Sequence, residues 1–162
     1  MPTVYISVGS NIERERSIRF GIKALQQHFG QLVLSRVYNA VAVGFEGDDF
    51  LNLMVSFESS LSPEQISSTL DQIEQLSGRT CEQKKFNSRT LDLDLTLYGD
   101  SISDNPNLEI PRSEITRYAF VLEPLAEIAG QLKHPVTKLS YNELWQAFDK
   151  TALAQQAIKF DW

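Results

Sequence analysis

At 162 residues, 42% of them hydrophobic and 22% charged, the chain is long enough to bury a sizeable core as one domain without a metal or disulfide staple. Its lone cysteine, Cys81, excludes an internal disulfide and fits a reducing, cytoplasmic setting. The net charge of −6 argues against a general nucleic-acid binder. No apolar run approaches the roughly 18–20 residues that cross a bilayer, and no basic-then-apolar secretory leader follows Met1.

Residues 3–8 are short and β-branched and predict a first strand, closed by Gly9-Ser10-Asn11 as a turn. From 13 to 29, Ile18, Ile22, Leu25 and Phe29 recur at helical spacing, and Gly30 stands where a helix ends. Residues 31–43 read as β-rich, with Val33, Val37 and Val41 on one face. Residues 44–49 interrupt them, and 50–58 resume with Leu51, Leu53, Val55 and Phe57 in strict alternation. Ser62-Pro63-Glu64-Gln65 opens a second helix: Ser62 caps it, Pro63 fits the first turn and Gln65 closes a capping box. Its apolar stripe is Ile66, Leu70, Ile73 and Leu76, and Gly78 ends it. A strand over 90–98 then carries Leu91, Leu93, Leu95 and Leu97 on one face. The order β-α-β-β-α-β is the ferredoxin-like split pattern, so the expected fold class is α+β, a single domain over 1–162 with C-terminal helical additions. Those additions begin with a hairpin at Gly99-Asp100 into a short strand near 101–102. A helix over 119–129 follows, then one from Ser140, boxed by Glu143, with Tyr141, Leu144 and Phe148 inward.

The informative segment is Arg89-Thr90-Leu91-Asp92-Leu93-Asp94-Leu95. In a strand the leucines enter the core while Asp92 and Asp94 leave together from the other face, roughly 6.5–7 Å apart along the chain. Adjacent carboxylates repel and aspartate is disfavoured in strands, so this face is either fully wet or holds a cation. Arg79, Lys84, Lys85 and Arg89 crowd the preceding loop, against one acid, Glu82. Alone, such a run is a solvated surface. Beside the aspartates it completes what a metal–phosphate site needs, carboxylate oxygens for Mg²⁺ and cationic forks for phosphate.

Other chemistries lack support. The chain has no Walker loop, kinase glycine loop or dinucleotide fingerprint. His28 and His134 have no partners at zinc spacing and read as packing or surface residues, and no base stands beside Cys81. An RNA-binding ferredoxin-like module would show a basic-aromatic motif that is missing here.

Taken in order, Gly9-Ser10-Asn11, Phe50-Leu51-Asn52, Glu74 with Gly78-Arg79, and Arg89-Thr90-Leu91-Asp92-Leu93-Asp94 resemble the 6-hydroxymethyl-7,8-dihydropterin pyrophosphokinases of folate biosynthesis, over nearly the whole chain. The resemblance implies a ferredoxin-like fold and transfer of pyrophosphate from ATP to the pterin hydroxymethyl group, releasing AMP. It implies that Asp92 and Asp94 hold two Mg²⁺ ions, and that Arg79 and Arg89 join them in catalysis. Glu74, Arg79, Lys85, Arg89, Arg112 and Arg117 would line the ATP site. Val43, Phe50, Asn52 and Phe120 would hold the pterin, with the two rings sandwiching it and the amide reading its edge. Loops 44–49 and 80–88 would close over the substrates. The expected partners are ATP and a reduced pterin, with neither nucleic acid nor membrane, and the chain is expected to be a cytoplasmic monomer.

The departures are specific. Arg112 stands where the family commonly has histidine, Cys81 where it has a loop arginine (with Lys84 or Lys85 as stand-in), Phe86-Asn87-Ser88 where it has Trp-Gly-Pro, and Phe50 where it has tyrosine. Ala40-Val41-Ala42-Val43 replaces a Thr-Pro-rich run. They leave open an alternative, a divergent paralogue with weakened catalysis that binds a pterin or nucleotide.

Overall fold

The computed structural model describes residues 1–41, 49–78, 91–151 and 153–162. Its centre is an antiparallel sheet of β1 (Thr3–Ser10), β2 (Val33–Leu34), β3 (Val37–Ala40), β4 (Phe50–Glu58), β5 (Asp92–Tyr98) and β6 (Gln155–Ile158), in the order β5-β1-β4-β3-β6 with β2 also on β4. The first four positions, β5-β1-β4-β3, are the ferredoxin-like arrangement expected from the element order. Helices α1 (Arg14–Phe29) and α2 (Pro63–Leu76) cover one face, where Ile18, Leu25, Ile66 and Ile73 meet Val4, Ile6, Leu53 and Leu93. On the other face lie α3 (Glu114–Arg117), α4 (Ala119–Ala129) and α5 (Tyr141–Ala147), packing Val121, Leu125 and Tyr141 against Tyr5, Met54 and Leu97.

Local chemistry starts α2 and α5. Ser62 Oγ accepts the Gln65 N–H at 3.2 Å and Gln65 Oε1 accepts the Ser62 N–H at 2.9 Å. Ser140 and Glu143 repeat the reciprocal pair at 3.1 and 3.0 Å. Each box satisfies two backbone donors that a helix start leaves open.

Four sequence expectations fail for tertiary reasons. The second strand breaks into β2 and β3 at Ser35, whose hydroxyl accepts the Met54 N–H, and Val33 and Val41 are exposed rather than facing the core with Val37. Leu76, the last residue of α2, is exposed. Near 101–102 there is no strand; one bridge joins Ser103 to Ile110, and Ile102 is exposed. Leu97 leaves its leucine row: Ile6 pairs with Leu95 but Tyr5 with Leu97, so Thr96 is an extra residue and Leu97 turns to the α4 face. The short α3 and the strand β6, a polar Gln-Gln-Ala-Ile run held at the β3 edge, had no periodicity to announce them. His134 packs as expected, its Nδ1 accepting the N–H groups of Val136 and Thr137. No helix among the described residues is long and apolar enough to cross a membrane.

Candidate active site

Gly9 does not turn the chain; it lies inside β1, paired with Asp92 on one side and Asn52 on the other, and Asn52 in turn pairs with Tyr38. Residues opposite one another in a sheet share a face, so Asp92, Gly9, Asn52 and Tyr38 form one row beneath α4. At Gly9 the row has no side chain. A Cβ there would lie 2.7 Å from Asn52 Oδ1, so the amide lies against bare backbone. Asn52 is 4% exposed, and its Nδ2 is buried with no hydrogen-bond partner among the described residues. A buried amide donor left open costs about 1–3 kcal/mol, so it marks a place for an acceptor from outside the chain. At the row's far end the Tyr38 hydroxyl donates to Glu127 Oε1 at 2.7 Å.

The gap above Gly9 is a cavity of about 120 Å³, lined by Asn52, Phe50, Phe120, Ser7, Asp92 and Asp94 among others. Phe50 and Phe120 are both partly exposed there, with Phe50 on the same face as Asn52, two residues before it on β4. A second, more polar cavity of about 200 Å³ opens along the outer edge of β5, lined by Asp71 and Glu74 of α2, by Asn107 and Glu109, and by Asp92 and Asp94 again. Glu74 is fixed across that edge by accepting the Leu93 N–H at 2.7 Å. Asp92, Asp94 and Arg112 thus wall both cavities.

The extra residue in β5 accounts for the arginine. The Thr96 carbonyl accepts the Arg112 N–H at 3.1 Å, bringing that loop onto the aspartate strand. The guanidinium then pairs through Nε and Nη2 with both carboxylate oxygens of Glu114, at 2.9 and 3.0 Å. The Asp94 carboxyl is pushed up to about 7 by burial first and then by the charge of Asp92, with Glu74 and Glu114 acting the same way and Arg112 opposing them. Two carboxylates that cannot comfortably ionise together form a site short of positive charge. Their hard oxygens suit Mg²⁺, which takes few protein ligands and completes its shell with water and phosphate. Among the described residues no third carboxylate, histidine or cysteine joins them in a metal-binding group.

Of the residues expected from the sequence, Asp92, Asp94, Glu74, Arg112, Phe50, Asn52 and Phe120 line these two cavities. Arg117 does not. Its guanidinium lies 5.3 Å from the Tyr118 ring centroid, and it lines a different cavity of about 390 Å³ beyond Phe120. Position 117 heads outward because Ile115, two residues back, takes the buried side of the short α3. Val43, Arg79, Cys81, Lys84, Lys85, Ser88 and Arg89 lie outside the described residues, as do nearly all positions of the two loops expected to close. Two contributors escaped the sequence reading. Gly9 carried a signal, a glycine within an apolar alternation, which marks close backbone approach; Glu114 carried none.

Comparison with known proteins follows this geometry. The sequence model of the 7,8-dihydro-6-hydroxymethylpterin-pyrophosphokinase family matches residues 5–130. The 2-amino-4-hydroxy-6-hydroxymethyldihydropteridine pyrophosphokinase of Bacillus subtilis is 36% identical over 137 residues, covering 82% of this chain and 81% of that protein. The enzyme of the same name from Haemophilus influenzae is 33% identical over 143 residues, covering 86% and 89%. Among solved structures, Plasmodium falciparum HPPK-DHPS (wild type with SDX-DHP) superposes with a TM-score of 0.68 at 13% identity, covering 90% of this chain and 43% of that one. An HPPK-DHPS in complex with substrates gives 0.71 at 11%, covering 90% and 43%. This chain therefore spans about two fifths of those longer chains, and the likeness to them shows the fold alone. By sequence, the chain belongs to the 7,8-dihydro-6-hydroxymethylpterin pyrophosphokinase family.

Proposed function

We propose that this chain transfers a pyrophosphoryl group from ATP to 6-hydroxymethyl-7,8-dihydropterin, releasing AMP, with Mg²⁺ held by Asp92 and Asp94. The observation that carries the reading is one pair of carboxylates shared by two cavities of different chemistry, one aromatic with an open amide donor and one polar along a strand edge. A flat heteroaromatic ring fits the first, between Phe50 and Phe120, with an acceptor on its edge taking the Asn52 Nδ2 proton. The polar cavity suits the nucleotide, with Glu74 already anchored there and Arg112 reaching in from the shared wall.

The hydroxymethyl oxygen then attacks the β-phosphorus, the bond from that phosphorus to the oxygen bridging the α- and β-phosphates breaks, AMP departs with that oxygen, and the hydroxyl proton is released to solvent. Such transfer needs alignment and charge neutralisation more than covalent help. Magnesium would supply charge neutralisation on the phosphate oxygens. The protein's part is to stack the pterin, fix its edge at Asn52, and hold Asp92, Asp94 and Arg112 at the wall both substrates touch. Arg79, Lys85 and Arg89 belong to the phosphate-binding set by resemblance.

A coupled assay for AMP with the reduced pterin tests the reading. Chelation with EDTA is expected to remove turnover and added Mg²⁺ to restore it; no AMP at millimolar ATP and Mg²⁺ sinks the proposal. Calorimetric binding of pterin or nucleotide without turnover would favour the weakened paralogue. Gly9→Ala is expected to raise the KM for the pterin about tenfold or more, because its Cβ displaces the Asn52 amide, with the KM for ATP unchanged. An unaltered pterin KM would mean that Asn52 does not read the ring. A cytoplasmic monomer completes the reading, and light scattering in solution should give one species near 18.3 kDa.

A further inference from the structure

We infer that Gln155 is a positioning residue for the pterin: from the edge strand β6 it holds the first turn of α4 and so sets how far the Phe120 ring stands from Phe50. This rests on the ring stacking proposed above but concerns a residue that lines neither substrate cavity.

Cross-strand register puts Gln155 in line with the stacking site. On β3, Ala40 pairs with Phe50 of β4 on one side and with Gln155 of β6 on the other, so the three share the face that α4 covers. Ala40 has only a methyl group there, and the side chain that bridges to the helix is the next one out. The two Nε2 protons of Gln155 each find an acceptor in α4, the Ala119 carbonyl at 3.1 Å and Glu123 Oε1 at 2.7 Å. Ala119 immediately precedes Phe120. The helix start lacks a cap of its own, since Tyr118 at its N-cap makes no side-chain capping bond. Glu127 also ties α4 to β3, accepting the Arg36 N–H at 2.8 Å, but it lies roughly 10 Å along the axis from Phe120. Phe120 lines both the aromatic cavity and the one of about 390 Å³, so among the described residues open space borders it on two sides, with Tyr118 stacked on it at 5.1 Å between centroids. Packing of Val121 and Leu125 presses the helix onto the sheet but has no direction, whereas a pair of hydrogen bonds fixes the height and angle of its first turn. A ring gap wider by about 0.5–1 Å forfeits roughly a quarter to a half of the dispersion attraction across it, so that height governs pterin affinity.

A double-mutant cycle tests this with Gln155→Leu, Phe120→Ala and the pair together. Each is titrated with 6-hydroxymethyl-7,8-dihydropterin and, separately, with a non-hydrolysable ATP analogue and Mg²⁺. Gln155→Leu keeps the bulk of the side chain and removes both donors. It should raise the pterin dissociation constant about tenfold, leave nucleotide affinity within about twofold, and cause no further loss once Phe120 is alanine. Gln155→Lys, whose ammonium can donate to the same two oxygens, should recover most of the loss. An effect of Gln155→Leu that persists undiminished in the Phe120→Ala background would overturn the inference, since Gln155 would not then act through the ring. So would a leucine variant that binds pterin as the wild type does, or equal losses for pterin and nucleotide that lysine does not recover, the mark of a structural role. If the leucine variant does not fold, Glu123→Ala, which removes one of the two acceptors, should raise the pterin constant about threefold without touching the nucleotide; no change overturns the inference. Unaltered pterin affinity in Phe120→Ala alone would end the stacking reading and this inference together. Should the wild type bind pterin yet release no AMP, the proposed transfer fails while the binding cycle still decides Gln155. A wild type that binds no reduced pterin ends both.

Discussion

Asp94→Asn is expected to lower turnover by a factor on the order of 10³ or more while raising the melting temperature of the ligand-free protein by several degrees. The two effects share one cause. Asp94 is held among Asp92, Glu74 and Glu114 with burial and repulsion pushing its carboxyl from 3.8 to about 7. A carboxyl whose pKa is raised on folding contributes stability that is complete below its unfolded pKa and is lost as pH rises through the folded value. The wild type in EDTA should therefore lose stability between about pH 4 and pH 7 and level off above that. The neutral amide removes this dependence, a gain on the order of 1–3 kcal/mol at pH 7.5. Mg²⁺ with nucleotide should stabilise the wild type and leave the variant unchanged. Thermal melts over pH 4–8, with EDTA or with Mg²⁺ and an ATP analogue, provide the check. A destabilised variant in EDTA would mean that the aspartate is part of the frame rather than a site held under electrostatic tension.

Asn52→Leu is expected to raise the dissociation constant for the reduced pterin by about 10² or more, because a site built to hydrogen-bond a ring edge loses its donor and presents a methyl group instead. Nucleotide affinity should stay within about twofold, since Asn52 lines the aromatic cavity and not the polar one. Stability should hold or rise slightly, because the open Nδ2 is already an unpaid hydrogen bond in the ligand-free chain. Fluorescence titration with pterin beside calorimetry with an ATP analogue separates the two affinities. If pterin binds the leucine variant as tightly as the wild type, the cavity over Gly9 is not where the ring goes.

Much of this site was legible because strands alternate. Asp92 and Asp94 between leucines, and Asn52 between Leu51 and Leu53, could point only away from the apolar face, and the structure puts all three into one cavity wall. The family resemblance rests on the same short runs, and the sequence match over residues 5–130 agrees with it. Arg117 shows the limit. A cation next to an aromatic in sequence has no fixed direction until a helix turn assigns one, and here it is assigned to the neighbouring cavity.

By itself, then, the amino-acid order determined what local periodicity can encode: two amphipathic helices, two capping boxes, the ferredoxin-like succession of elements and the side of the sheet each acid takes. Tertiary structure alone decided the rest. One unpaired residue at Thr96 turned Leu97 to the opposite core and presented the carbonyl that anchors Arg112. The pairing of three strands set Gly9 between Asp92 and Asn52. A bulge and a cross-strand register are relations between segments distant in the chain, settled by which pairing buries most and strands fewest polar groups, and no window of neighbouring residues carries that balance.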